Sequence, residues 1–148
     1  MDAAAIAAAV PHAGAMCLLD GVLSCSAAAI ECVAQRPLRS DNPLLERGRL
    51  HAMALLEYGA QAAAVHAAMA GGSAAPARGG AATAGRPAYL AAVKDLAVAG
   101  DWLDAGVAAL TVRACCVSAG AGGAIYRVSV EALGVVQLSA RITLAQPG

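Results

Sequence analysis

The polar side chains that could do acid–base chemistry in mostly apolar stretches of this chain include His12, Glu57 and Gln61. An imidazole has an ordinary pKa of about 6.5, so His12 is a candidate general base near neutral pH. Glu57 lies in an apolar run, where desolvation favours the neutral carboxyl group, and it is a candidate general acid. Gln61 is four residues further on and would share a helix face with Glu57, so it could orient that carboxyl group by a hydrogen bond.

The apolar run around Glu57 predicts a long helix over residues 52–70. It contains no proline, one glycine and many residues of high helix propensity. Because it is apolar on nearly all sides, we expect the helix to be buried within the fold. A central carboxylate argues against a membrane span, and the N-terminus lacks the basic region of a signal peptide, so we expect a soluble protein.

Extended runs flank the predicted helix on both sides. Two lie within residues 16–34, separated by a candidate turn at 26–28, and a loop rich in proline and charge follows at 36–50. Four more follow the glycine- and alanine-rich segment 71–86, which we interpret as a flexible linker. One apolar helix beside six antiparallel strands is stable only if the sheet curls around it. The sequence therefore predicts a single α+β domain over residues 1–148.

Composition narrows the possible classes of function. Apolar residues make up 59% of the 148 and charged residues only 14%, which argues against a disordered chain. The formal net charge is zero, so nothing draws the whole chain to nucleic acid or to an anionic membrane. Five cysteines without a CxxC spacing are typical of reduced thiols in a cytoplasmic protein. Cys115 and Cys116 are strand neighbours, and we expect them to be small core residues on opposite faces.

Several kinds of site are not indicated. The chain has no dinucleotide-binding glycine motif after a strand, no phosphate-binding loop and no nucleophile elbow, and its three scattered histidines do not form a zinc motif. We therefore expect no cofactor and no metal. His51 and His66 are expected to be structural or solvent-facing, and Asp20 is expected to bond a turn or cap the helix.

Two segments resemble motifs of a known family. PHAGAMCLLDGV, residues 11–22, resembles the opening motif of the hot-dog-fold 3-hydroxyacyl-[acyl-carrier-protein] dehydratases. ALLEYGAQA, residues 54–62, resembles the helix motif of the same family, in which a glutamate is followed four residues later by a glutamine. Order, separation and predicted layout all agree with that family. The resemblance is greatest to its divergent branch from bacterial aryl-polyene pathways.

The resemblance implies a hot-dog fold, in which a curved six-stranded antiparallel sheet wraps around one long helix. It also implies a homodimer or hot-dog heterodimer with active sites at the subunit interface. The implied reaction converts a 3-hydroxyacyl thioester, carried on the phosphopantetheine of acyl carrier protein, to a 2-enoyl thioester. His12 of one subunit would be the base and Glu57 of the other the acid.

The resemblance also implies which residues contact the substrate. These would be Gln61, the residues Gly14 and Met16 that follow the histidine, and Ala52 and Met53 at the helix start. The family has Pro-Gly at that start, where a backbone N–H polarises the thioester carbonyl, and this chain has His-Ala. An N–H at a helix N-terminus can make the same contact without glycine.

Two alternatives remain open from the sequence. In a hot-dog thioesterase, Glu57 would activate water and His12 would be dispensable. In a catalytically weak acyl-binding subunit, the chain would complete a heterodimer with a better-equipped partner. The loop before the helix also carries four arginines, which are either solvated or contact the phosphopantetheine phosphate or the acidic carrier protein: Arg36, Arg39, Arg47 and Arg49.

Overall fold

The computed structural model describes residues 17–70 and 89–145, which hold six strands and one long helix. His12, Gly14, Met16 and the predicted linker at 71–86 lie outside these ranges. The elements are β1 (Gly21–Cys25), β2 (Ala29–Gln35), a 3-10 turn (Ala52–Ala54), α1 (Leu55–Ala70), β3 (Tyr89–Val98), β4 (Ala109–Gly120), β5 (Gly123–Ala132) and β6 (Val135–Ala145). The predicted helix and all six predicted strands are confirmed. The first three residues of the predicted helix form a 3-10 turn instead of α-helix.

All six strands form one antiparallel sheet in the order β1-β2-β4-β5-β6-β3. The alternation of β5 sets its faces, since Tyr126, Val128 and Val130 are buried while Arg127 is exposed. The turn predicted at 26–28 is also present, because Ser26 donates its backbone N–H to the carbonyl of Ala29 at 2.8 Å. One face of the sheet therefore covers the helix and the other faces solvent.

Helix α1 packs against the inner face of β2, β4, β5 and β6, so the sheet wraps around it. The helix comes very close to β5 at Gly59, where an added Cβ would lie 2.9 Å from the side chain of Val128. A core without phenylalanine instead places two tyrosines, Tyr58 and Tyr126, among its largest fully buried side chains. Within the described residues, no helix is long and apolar enough to cross a membrane.

The loop between β2 and the 3-10 turn is fixed to the helix by Asn42. Its side-chain amide donates to the carbonyl of Pro37 at 2.7 Å and to the hydroxyl of Tyr58 at 2.9 Å, and its Oδ1 accepts the Leu44 N–H at 2.9 Å. Because Asn42 is buried, these bonds also satisfy polar atoms that would otherwise be unpaired. The loop that enters the helix is thus held in one place.

Cys115 and Cys116 point in the predicted directions, but the burial predicted for both holds for only one face of the strand. Cys116 pairs with the buried Tyr126 and Cys115 with the exposed Arg127, so the two thiols do point to opposite faces. The expectation that both are core residues is wrong for Cys115, which is exposed. The reason is that only one face of β4 packs on the helix. Cys32, on β2, is fully buried.

Candidate active site at the start of the central helix

Glu57 lies in the first turn of α1 and is half-buried. Among the described residues it forms no ion pair, so no arginine in that part of the chain neutralises it. The same face of the helix continues with small, half-buried side chains at Ala60, Ala64 and Ala67. Glu57 therefore stands at one end of an alanine-lined stripe that the sheet leaves partly uncovered.

Gln61, one turn beyond Glu57, is only 1% exposed. Its Oε1 accepts the backbone N–H of Leu18 at 2.9 Å. Leu18 and Leu19 are themselves buried in the core. This bond attaches Leu18, within the opening sequence motif, to the central helix. The role of Gln61 in orienting the Glu57 carboxyl group stays a prediction.

The backbone donors at the helix start are already engaged. Ala52 donates its N–H to the carbonyl of Asp101 at 2.7 Å, and Met53 donates its N–H to Nδ1 of His51 at 3.1 Å. Ala54 donates to the carbonyl of His51 at 2.9 Å. A thioester carbonyl that bound at Ala52 or Met53 would therefore have to displace one of these acceptors.

His51 sits half-buried beside Trp102, with the two rings edge to face and their centroids 4.9 Å apart. The Arg49 guanidinium lies over the same indole at 4.3 Å from its centroid. The position of His51 at the start of the helix agrees with the expectation that this histidine is structural or solvent-facing. Trp102 was not singled out from the sequence, although it is the only tryptophan in the chain.

His66 lies at the other end of the helix and is fully buried. Its Nε2 lies 2.9 Å from the carbonyl oxygen of Ser26, which can only accept, so Nε2 carries the proton. Its Nδ1 then accepts from the Tyr126 hydroxyl at 2.6 Å. Burial raises the pKa of Tyr126, which keeps that hydroxyl protonated. His66 is structural, as expected: it ties the β1–β2 turn to the helix and to β5.

Asp20 is exposed and accepts the backbone N–H of Gln35 at 2.6 Å. It therefore joins the start of β1 to the end of β2, instead of capping the helix or bonding a turn as expected. The reason is that the pairing of Gly21 with Val33 brings residue 20 opposite Ala34, next to Gln35, a register that the sequence does not reveal. In the described part of the chain, no group of three or more acidic, histidine or cysteine side chains could hold a metal ion.

A family model described as ApeP-like, ApeP dehydratase, matches residues 4–148. The chain belongs to the ApeP dehydratase family. The match spans both sequence motifs and confirms the resemblance drawn from them. None of the curated proteins compared with the chain matches it.

Solved structures resemble this chain over most of its length. The dehydratase heterocomplex ApeI:P from Xenorhabdus doucetiae is 17% identical, with a TM-score of 0.81 over 100% of this chain and 92% of that one. A hypothetical thioesterase protein with coenzyme A from Streptococcus pneumoniae is 15% identical, with a TM-score of 0.55 over 86% and 84%. The PaaI protein of the Escherichia coli phenylacetic acid degradation operon is 14% identical, with a TM-score of 0.58 over 84% and 81%. At these identities the likeness shows the fold alone, and it confirms the hot-dog fold.

Proposed function

We propose that this chain is the subunit of a hot-dog dehydratase that converts a 3-hydroxyacyl thioester on acyl carrier protein to a 2-enoyl thioester. The observation that carries the proposal is the bond between Gln61 and Leu18. It holds Leu18, six positions after His12, against the helix one turn from Glu57. Membership in a dehydratase family supports dehydration as the reaction that takes place there.

In the proposed reaction His12 removes a proton from the carbon next to the thioester carbonyl. The electron pair of the broken carbon–hydrogen bond forms the new double bond. The bond between the neighbouring carbon and its hydroxyl oxygen breaks, and Glu57 protonates the departing hydroxyl group to give water. Leu18 lies six positions after His12, and six extended steps of the chain span about 20 Å. That reach permits His12 to approach Glu57 of its own subunit or of a partner, with Gly14 and Met16 beside the substrate.

The thioester carbonyl needs a donor, and Met53 is the better candidate of the two expected residues. Its N–H is held by the half-buried His51 ring at 3.1 Å, whereas the Ala52 N–H is held at 2.7 Å by a backbone carbonyl. A side chain can rotate away more readily than the backbone at Asp101, between β3 and β4, can shift. The acyl chain would then lie along the alanine stripe that begins beside Glu57.

We further propose that the active form is a homodimer or a hot-dog heterodimer in the cytoplasm. The edge strand β3 has exposed apolar side chains at Tyr89, Leu96 and Val98, and a free strand edge of this kind can pair with another subunit. The Xenorhabdus structure is described as a heterocomplex, which makes a different hot-dog chain a reasonable partner.

A second candidate function is a catalytically weak subunit that binds acyl chains and completes such a heterodimer. The occupied N–H groups of Ala52 and Met53 favour it, because a subunit without a ready donor for the carbonyl would depend on its partner for catalysis.

The test is an assay of the purified chain, alone and with a hot-dog partner, on a 3-hydroxyacyl acyl carrier protein. The proposal expects 2-enoyl product, lost in His12→Ala and in Glu57→Gln. Free thiol that persists in His12→Ala would establish a thioesterase instead. Product that appears only with the partner and survives both substitutions would establish the catalytically weak subunit.

Mixing the two inactive variants addresses the arrangement of the site in a homodimer. If His12 and Glu57 come from opposite subunits, His12→Ala mixed with Glu57→Gln forms some dimers with one intact site, and activity returns to about a quarter of wild type at random exchange. No recovery after demonstrated subunit exchange would place both groups in one subunit.

A further inference from the structure

The solvent-facing side of the sheet carries a row of three cations on adjacent strands. Lys94 on β3 pairs with Arg141 on β6, and Arg141 pairs with Arg127 on β5. Their chain neighbours Val128 and Ile142 are buried on the inner face, so the three cations share the outer face. Lys94 and Arg127 are exposed, while Arg141 between them is half-buried. We call these three residues the basic row.

Within the described residues, no acid neutralises the basic row. The acids Glu31 and Glu131 on the same face both bind Arg113, and none of the three row residues forms an ion pair in that part of the chain. Asp95 follows Lys94 in a bulge of β3 and forms no ion pair there either.

Arg141, the central residue of the basic row, also has one side-chain nitrogen that lacks a hydrogen bond within the described part of the chain. The Nε of Arg141 is buried and has no hydrogen-bond partner among the described residues. Like charges placed directly opposite on neighbouring strands are destabilising, and a buried donor without an acceptor adds to that cost. Such an arrangement indicates a surface that is completed by an anionic partner.

The geometry of the row fits carboxylates on a helix. Neighbouring strands lie about 4.8 Å apart, so the row extends about 10 Å across three strands. Side chains one turn apart on a helix are separated by about 5–6 Å, which matches one acidic side chain to each cation. Because the chain has no net charge, attraction to an acidic partner would have to come from such a local surface.

We propose that the basic row docks an acidic helix of the acyl carrier protein that delivers the substrate, a role that rests on the proposed function. The loop arginines are less suited to it. Arg39 is already paired with Asp41 at 3.0 Å, and Arg49 lies over Trp102. The row therefore replaces the loop as the main contact for carrier protein.

The experiment measures binding of an acidic holo acyl carrier protein to the full chain, with its hot-dog partner if one is needed, at low and at physiological salt. The variant Lys94→Glu with Arg127→Glu changes only the exposed ends of the row, and Arg47→Glu with Arg49→Glu is the matched control in the loop. We expect the row variant to weaken binding about tenfold or more at low salt, with a smaller loss at high salt, and the control to stay within about twofold.

Turnover of a carrier-free 3-hydroxyacyl thioester of N-acetylcysteamine separates this proposal from the proposed function. The row variant should process that small substrate at the wild-type rate. A wild-type chain that binds no carrier protein, or a row variant that binds it normally, overturns the docking proposal. If the wild-type chain binds carrier protein and the row variant binds it weakly, but the wild type turns over neither substrate, the dehydratase is overturned and the docking surface is supported.

Discussion

Polar side chains at the two ends of the central helix differ in burial and in hydrogen bonding. At the far end His66 is fully buried, and each ring nitrogen has one partner, the Tyr126 hydroxyl and the Ser26 carbonyl. At the near end Glu57 is half-buried and unpaired within the described residues, although the buried Gln61 beside it is bonded to Leu18.

The difference shows which end is available for chemistry. A buried group with every hydrogen bond satisfied rigidifies the fold and has nothing left to offer a substrate. A carboxyl group that is half-buried at the head of a small-residue stripe can still meet a ligand. Substitutions at the far end should therefore change stability, and substitutions at the near end should change activity.

Glu57→Gln should have the largest effect. The amide keeps the shape of the side chain but cannot donate the acidic proton, so turnover of a 3-hydroxyacyl carrier protein should fall by roughly 10²- to 10⁴-fold. The free energy of unfolding should change by less than about 0.5 kcal/mol, because the side chain is half-exposed. Glu46→Gln, at an exposed loop position, is the matched control. An active Glu57→Gln enzyme would remove the distinction between the two ends.

His66→Ala should come next, with an effect on stability. The substitution removes the imidazole partner of the Ser26 carbonyl and of the Tyr126 hydroxyl and opens a cavity, which together should cost about 3 kcal/mol of unfolding free energy. Urea denaturation gives that value. Activity per folded molecule, measured well below the unfolding transition, should remain near wild type; a loss comparable to that of Glu57→Gln would show that the far end also takes part in the reaction.

Tyr126→Phe tests the same network with a smaller change. It removes one hydroxyl group and leaves Nδ1 of His66 without a donor, at an expected cost of about 1–2 kcal/mol in the same denaturation experiment. Tyr89→Phe is the matched control, since that tyrosine is exposed on β3. Equal stabilities for the two variants would mean that the bond between Tyr126 and His66 contributes nothing.

The buried thiol of Cys32 extends the comparison to an effect that is absent at neutral pH. Burial raises the pKa of Cys32 to about 12 from an ordinary 9.0, so the folded state favours the neutral thiol. This contribution to stability is therefore complete below pH 9 and is lost as the pH rises from 9 towards 12, where the unfolded chain ionises its thiol first. Cys32→Ala should unfold with a shallower pH dependence over that interval. An unchanged pH dependence would contradict the assignment.

Much of the fold was predictable because its signals are local. The proline-free alanine run specified the helix that carries Glu57, and the extended runs that flank it specified the six strands. The two motifs led to the family because each keeps its chemistry-bearing residues within a few positions. The burial of His66 on the helix side next to the sheet also agrees with a helix that is apolar nearly all round.

What could not be predicted depends on register and on pairing between distant segments. Asp20 meets Gln35, Leu18 meets Gln61, and the cations of the basic row meet only when β3, β5 and β6 pair in one particular register. The engagement of the Met53 N–H by His51 is likewise a detail of side-chain geometry at the 3-10 turn.

The most direct test of the account compares single-turnover rates of three variants on a 3-hydroxyacyl carrier protein: His12→Ala, Glu57→Gln and the double substitution. Groups that act together in one step are not additive, so each single change should cost at least about a hundredfold and the double change little more than the worse single one. A His12→Ala enzyme that retains near wild-type dehydration, with only Glu57→Gln impaired, would contradict the proposed acid–base pair.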